Sequence, residues 1–150
     1  MTTIQFYHLT ATPLERALPK LLEKALAAKF KIVVVADSDE RVEQLNQSLW
    51  TYHPGSFLPH GSAKDGHVEK QPIFLSTHIK TPNQANLLAV TNGAQPEKPE
   101  QFERILDIFD GNDVQAVAKA RTRWKSYKDL GHSISYLRQN ETGGWEQKAA

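Results

Sequence analysis

The chain has 150 residues, of which 39% are hydrophobic and 23% charged, and this composition favours one globular domain over residues 1–150 and excludes wholesale disorder. Its net charge of +1 indicates neither a nucleic-acid nor a membrane partner. The charge is unevenly distributed, because residues 1–110 carry 11 basic and 13 acidic side chains, whereas residues 111–150 carry 7 basic and 4 acidic ones. The absence of cysteine excludes disulfide scaffolds and thiol catalysis, and without a membrane span or a signal-peptide pattern we expect a cytoplasmic protein.

Strand and helix patterns alternate along most of the chain, which predicts an α/β fold. Residues 31–36 are apolar and β-branched without polar alternation, which is typical of a strand covered on both faces in a parallel sheet. Pro19 argues against one unbroken first helix. In chain order we predict a strand at 4–9, a helix opened by Thr12 and Pro13, a strand at 31–36, a helix from 37 to 50, a loop at 51–71, strands at 73–75 and 87–90, a helix at 112–130 that stops at Gly131, and an edge strand at 134–137.

Residues 102–109 fit two different structures. Their apolar side chains fall at helical spacing, and yet residues 105–109 are short and apolar enough to form a strand. The pattern alone leaves helix and strand open for this segment.

The turn that follows the first strand, residues 9–13, contains no glycine. A dinucleotide-binding turn needs glycines so that the backbone can approach the pyrophosphate closely. The sequence also lacks a Walker motif and a nucleophile elbow. We therefore expect no nucleotide cofactor and no catalytic residue.

Two groups of side chains invite a metal or acid–base interpretation that their surroundings do not support. Three histidines around Asp65 recur every seven residues, but no helical pair and no second ligand cluster accompanies them, so we interpret them as solvated loop residues and expect no metal. They are His53, His60 and His67. Two carboxylate pairs are explained by helix starts and turns. They are Asp37 with Asp39 and Asp107 with Asp110.

The helix predicted at residues 112–130 has two contrasting sides. On a wheel of 100° per residue, two or three cations and an indole lie within about 60° of Arg121. The opposite side collects small and aromatic residues that would pack on a sheet, namely Ala116, Ala120, Tyr127 and Leu130. Arg123 falls on that inward side, where we expect a covered, structural arginine paired with a carboxylate.

The outward side of this helix indicates a binding surface. An indole at Trp124 beside Arg121 and Lys125 suits either stacked bases on a phosphate backbone or an acidic peptide that ends in an apolar residue. Because the rest of the chain is slightly acidic, a compact peptide site is easier to support than a long nucleic-acid track, which needs many phosphate contacts.

Several motifs occur in an order and at a spacing that resemble the chi subunit of bacterial DNA polymerase III. They are IQFYHL at 4–9, LW at 49–50, SFLPHG at 56–61, QPI at 71–73 and ARTRWKSY at 120–127, ahead of Gly131. The resemblance covers the chain from end to end, and GGWE at 143–146 is a less diagnostic part of it. The resemblance implies a three-layer α/β/α fold with a Rossmann-like, mostly parallel sheet and no bound dinucleotide. It also assigns residues 102–109 to the sheet.

The same resemblance implies a non-catalytic accessory subunit of the DNA polymerase III holoenzyme. Such a subunit would bridge single-stranded DNA-binding protein to the clamp loader through the psi subunit. It would bind the acidic C-terminal tail of single-stranded DNA-binding protein, whose aspartates precede an apolar tip of the Ile-Pro-Phe type. The alternative function is a direct single-stranded nucleic-acid-binding module, which would use the same stripe to stack bases.

Matching positions give the residues of the implied tail pocket. Arg121 and Lys125 match cations that meet the carboxylates of the tail, and Trp124 matches an aromatic position beside them. Aromatic positions that receive the apolar tip match Trp50 and Phe57. The whole candidate pocket is Arg121, Trp124, Lys125, Lys128, Val117, Trp50 and Phe57.

One position departs from the pattern of the family. Val117 stands where some relatives place a lysine, so that part of the charge is missing or is supplied by Lys128 or Lys119. Since an exposed cation contributes only about 0.2–1 kcal/mol, we expect weaker or more salt-tolerant tail binding. No motif identifies the surface that would contact psi.

Overall fold

The computed structural model describes residues 2–51, 60–62 and 68–148. The elements are β1 (Thr3–Leu9), α1 (Leu14–Ala27), β2 (Ile32–Val35), α2 (Asp39–Thr51), β3 (His60–Ser62), β4 (Ile73–Ser76), β5 (Leu87–Val90), β6 (Arg104–Asp110), α3 (Val114–Asp129), β7 (Ser133–Gln139) and β8 (Trp145–Lys148). The strands form one eight-stranded sheet in the order β3-β4-β2-β5-β6-β1-β7-β8. Every neighbouring pair is parallel except β7 with β8.

The sheet separates two apolar cores, which confirms the three-layer α/β/α, Rossmann-like fold. On one face α1 and α2 pack side chains such as Leu22 and Leu45 against the sheet. On the other face α3 packs Ala120 and Tyr127 against Phe6. The interior strand β2 is buried over its whole length, as its unalternating apolar sequence predicted. None of the helices in the described part of the chain has the length and hydropathy to cross a membrane.

The first helix runs unbroken through Pro19, contrary to the prediction. Pro19 has no amide hydrogen, so the carbonyl of Glu15 lacks its helical donor. The helix continues because Leu18 and Leu22 on the same side are fully buried against the sheet. The predicted cap is also different, since Pro13 occupies the cap position and makes no side-chain bond to the helix.

The segment that fitted both helix and strand is the strand β6, which lies between β5 and β1. Ile105 and Phe109 belong to the core beneath α3, whereas Leu106 and Ile108 belong to the core beneath α1 and α2. A strand covered on both faces has apolar residues at nearly every position, so some of these residues fall at helical spacing by chance. The helical spacing was therefore misleading here.

The strand predicted at residues 134–137 is not an edge strand. It forms β7, with β1 on one side and the antiparallel β8 on the other. The connecting turn is closed by Asn140, whose amide donates to the Gly144 carbonyl at 2.8 Å while its Oδ1 accepts the Gly144 amide at 2.8 Å. Trp145 of β8 packs edge-on against Tyr7 with 4.9 Å between ring centroids. The less diagnostic GGWE segment thus supplies the turn and start of the true edge strand.

Candidate functional site

The helix α3 carries the candidate surface and is fixed at both ends. Asp113 caps its first turn, with Oδ1 accepting the amides of Gln115 at 3.0 Å and Ala116 at 3.3 Å. Gly131 follows the helix with φ of +86°, a conformation that side chains disfavour. Between these ends the helix contacts β6, β1 and β7. The helix predicted at residues 112–130 is therefore confirmed over Val114–Asp129, as is its stop at Gly131.

An interior ion pair joins α3 to the sheet. Arg123 donates from Nε to Asp107 Oδ2 at 2.6 Å and from Nη2 to Asp107 Oδ1 at 2.9 Å. Burial raises the pKa of the Asp107 carboxyl, and the two bonds from Arg123 act in the opposite direction. The predicted inward position and carboxylate partner of Arg123 are confirmed. Since Arg123 and Tyr127 must point into the sheet, α3 is held in the rotation that turns its other side outward.

The outward side of α3 combines three cations with a half-buried indole. Arg121, Lys125 and Lys128 are exposed, and Lys128 places its Nζ 4.7 Å from the ring centroid of Trp124. The indole and the side chain of Val117 pack with their inner sides on the core beneath α3. Within the described part of the chain, no carboxylate forms an ion pair with these three cations. Their charges are therefore available to an acidic ligand.

A second group of polar side chains, which the sequence did not reveal, lies on the same face of the sheet. His8 Nδ1 and Tyr136 Oη are 2.5 Å apart. Burial lowers the pKa of His8, and the charges of Arg138 and Arg121 lower it further. Burial raises the pKa of Tyr136, while the same two arginines oppose that rise. Arg121 of α3 and Arg138 of β7 thus act on one histidine–tyrosine pair, a relationship that only the pairing of β1 with β7 creates.

Two of the predicted pocket residues are not placed by the structure. Phe57 and the side chain of Trp50 lie outside the described residues. The backbone of Trp50 belongs to the last turn of α2, a helix that packs on the opposite face of the sheet from α3. The role of Trp50 and Phe57 in receiving an apolar tip stays a prediction.

Two other positions correct or complete the prediction for α3. Leu130 was predicted to face the sheet, but it is 63% exposed. Leu130 caps the end of α3 with a helical backbone, so it is its place at the last turn, where its side chain is left uncovered, that differs from the prediction. Lys119, considered as a replacement for the charge missing at Val117, is exposed.

The candidate metal and acid–base residues fall into ordinary structural roles where they are described. His60 was predicted to be a solvated loop residue, but it is buried because β3 pairs with β4, and its Nε2 lies 3.2 Å from the carbonyl oxygen of Asn46. Asp110 Oδ1 accepts the amide of Asn112 at 2.9 Å, as expected of a turn residue. Three of the named side chains, His53, Asp65 and His67, lie outside the described residues. Among the residues that are described, no group of three metal-ligating side chains occurs.

A crevice of about 480 Å³ lies at the carboxyl ends of the central strands, where α/β folds often bind ligands. Here the backbone of the β1–α1 turn is already engaged by the chain itself. Gln139 Oε1 accepts the amides of Thr10 at 3.2 Å, Ala11 at 2.9 Å and Thr12 at 3.0 Å. Gln139 Nε2 also donates to the Thr12 hydroxyl at 2.7 Å. These amides are therefore satisfied without a phosphate group.

Comparison with known proteins gives matches along most of the chain. The family model described as DNA polymerase III chi subunit, HolC, matches residues 1–135. A protein of Rickettsia prowazekii (strain Madrid E) named "Probable DNA polymerase III subunit chi" is 31% identical over 156 aligned residues, which cover 99% of this chain and 93% of that relative. The DNA polymerase III subunit chi of Haemophilus influenzae is 24% identical over 137 aligned residues, which cover 89% of this chain and 94% of that relative.

Proposed function

The chain belongs to the DNA polymerase III chi subunit family, and from this premise we propose that it is a non-catalytic, cytoplasmic adaptor of the holoenzyme. It binds the acidic C-terminal tail of single-stranded DNA-binding protein and connects it to the clamp loader through the psi subunit. The observation that carries the proposal is the outward side of α3, where Trp124 lies among three cations that pair with no described carboxylate.

The chemistry of this surface complements an acidic segment that ends in apolar residues. Carboxylates of the segment lie against Arg121 and Lys125, and an apolar side chain contacts the indole of Trp124. An exposed charge pair contributes only about 0.2–1 kcal/mol, so several pairs and the apolar contact must act together. Because the segment is ordered when it binds, the expected affinity is about micromolar, or −8 kcal/mol.

The proposed pocket has four further residues, two outside α3 and two on it. Trp50 and Phe57 receive the apolar tip, as the resemblance to the family suggests. Lys128 supplements the charge, and its position over the Trp124 ring supports that role. Val117 contributes an apolar contact where some relatives have a lysine, which makes the binding less dependent on charge.

A titration with a fluorescently labelled peptide tests this proposal. The peptide contains aspartates followed by Ile-Pro-Phe, and anisotropy is measured for the wild-type chain and for Trp124→Ala and Arg121→Ala. We expect saturable binding that needs the final Phe and that weakens at least tenfold in both variants. Arg16→Ala is the matched control, because Arg16 is an exposed arginine on α1, across the sheet from α3.

Two outcomes would contradict the proposal. Unchanged binding in both variants would show that the peptide does not bind on α3. Weak peptide binding together with tight, steeply salt-dependent binding of a single-stranded oligonucleotide supports the nucleic-acid module instead. Urea unfolding of each variant checks that lost binding does not reflect a lost fold.

A further inference from the structure

The cationic surface of α3 continues onto the neighbouring strand β7. In the parallel pairing of β1 with β7, Arg138 lies opposite His8, so both side chains leave the sheet on the same face. That face is the one covered by α3, because His8 is also paired with Phe109 of the core beneath α3. Arg138 is exposed.

The side chains between the two arginines form a fixed platform. His8 Nδ1 is bonded to Tyr136 Oη at 2.5 Å, and the Tyr136 ring stacks on Phe6 with 6.4 Å between centroids. The other side of the imidazole is filled by the backbone at Gly111, where a Cβ atom would overlap the ring. These contacts leave His8 and Tyr136 little freedom to rearrange.

The charges around this platform are unbalanced. Neither Arg121 nor Arg138 forms an ion pair with an acidic side chain of the described residues. Arg138 is the cross-strand neighbour of His8, and the charges of Arg138 and Arg121 both lower the pKa of His8 and both oppose the rise that burial causes in the pKa of Tyr136. Asp110 acts on His8 in the opposite direction, but its Oδ1 is already bonded to the amide of Asn112. An anion between the two arginines would relieve their repulsion.

We propose that Arg138 and Arg121 together bind one carboxylate of the acidic segment over the His8–Tyr136 platform. The inference rests on the proposed function and extends its binding surface from α3 onto β7. The match to the family model ends at residue 135, so Arg138 on β7 lies outside the matched region.

This arrangement also gives the bound segment a direction. Trp124 lies about one turn along α3 from Arg121, whereas Arg138 lies on β7 towards its carboxyl end. An apolar tip that contacts Trp124 therefore places an aspartate further from the tip at Arg138. Replacing that distant aspartate by asparagine should remove the contribution of Arg138 to the binding affinity. Replacing the aspartate nearest to the tip should leave that contribution unchanged.

A double-mutant cycle between protein and peptide tests the inference. Arg138→Ala and the wild-type chain are titrated with the acidic peptide and with peptides in which one aspartate at a time is replaced by asparagine. We expect Arg138→Ala to bind the unmodified peptide about three- to fivefold more weakly, as for one exposed charge pair. For the peptide in which the aspartate further from the tip is replaced by asparagine, we expect Arg138→Ala and the wild type to bind equally well. Arg16→Ala should match the wild type with every peptide.

The outcomes separate this inference from the proposed function. If Arg138→Ala binds like the wild type while Trp124→Ala and Arg121→Ala lose affinity, the site ends at α3 and the inference is wrong. An equal loss with every peptide, charged or neutralised, also overturns it, because Arg138 then acts without contacting a carboxylate. Unchanged binding in the Trp124 and Arg121 variants, or none by the wild type, contradicts the proposed function itself.

Discussion

Arg123 and Asp107 form a two-bond ion pair inside the protein, with only 7% of the arginine side chain and 1% of the aspartate side chain exposed. Removing one partner leaves the other charge buried without compensation, which typically costs about 3–5 kcal/mol. We therefore expect Arg123→Ala to lower the free energy of unfolding by about this amount, measured by urea denaturation. Arg121→Ala, an exposed arginine on the same helix, should change it by less than about 0.5 kcal/mol.

The pair can also be replaced as a whole. In Asp107→Leu with Arg123→Met, neither charge remains, and apolar side chains of similar length fill the space. We expect this double variant to recover most of the stability lost in Arg123→Ala. A double variant as unstable as the single one would show that the geometry of the pair, rather than the uncompensated charge, holds α3 in place.

Gly111 should not tolerate a side chain. A Cβ atom there would overlap the imidazole of His8 and crowd the carbonyl oxygen of Leu9. We expect Gly111→Ala to lower the free energy of unfolding by about 1–3 kcal/mol, the usual cost of forcing atoms into a packed site. Adding His8→Ala should restore part of the loss, because only the contact with the Leu9 backbone remains. A wild-type stability for Gly111→Ala would mean that this turn is not closely packed.

Gln139 should stabilise the β1–α1 turn through its oxygen atom. Gln139→Ala leaves the amides of Thr10, Ala11 and Thr12 without their acceptor, and we expect a loss of about 1–3 kcal/mol in the free energy of unfolding. Gln139→Glu keeps an acceptor near the start of α1, where negative charge is favoured, and should lose less. Urea denaturation compares the two, and equal losses would contradict a role for the oxygen.

His8 should make the protein less stable in acid. Its folded pKa lies below its ordinary value of 6.5, mainly because the ring is buried. The unfolded chain therefore takes up this proton first, so the contribution of His8 is complete above pH 6.5 and is lost as the pH falls through the folded pKa. We expect urea denaturation at about pH 7.5 and pH 5 to show a smaller difference for His8→Gln than for the wild type.

The same histidine reports on its neighbouring arginine. Because the charge of Arg138 lowers the pKa of His8, Arg138→Ala should raise that pKa in an NMR titration of the folded protein. Arg16→Ala, across the sheet, should leave it unchanged. An unaltered His8 titration in Arg138→Ala would place the guanidinium too far away to share an anion with Arg121.

Local patterns were sufficient to predict much of the fold. The unalternating apolar run of β2 and the two-sided pattern of α3 each follow from neighbouring residues, and so does the inward position of Arg123. A carboxylate partner was predicted, but its identity could not be, because Asp107 belongs to a strand whose apolar residues on both faces hide the strand alternation. The pairing of His8 with Arg138 depends on strand order, and that order joins residues 130 positions apart in the sequence.

The place of β1 in the sheet has a consequence for protein synthesis. This strand precedes the other described strands along the chain, yet both of its neighbours, β6 and β7, begin about 100 and 130 residues later. Its backbone groups therefore lack their sheet partners, and Ile4 and Phe6 lack their buried surroundings, until the ribosome has made β6 and β7. Closing the sheet around β1 is a long-range step of folding that must wait for β7, so the surface of α3 and β7 cannot be completed before β7 has been made.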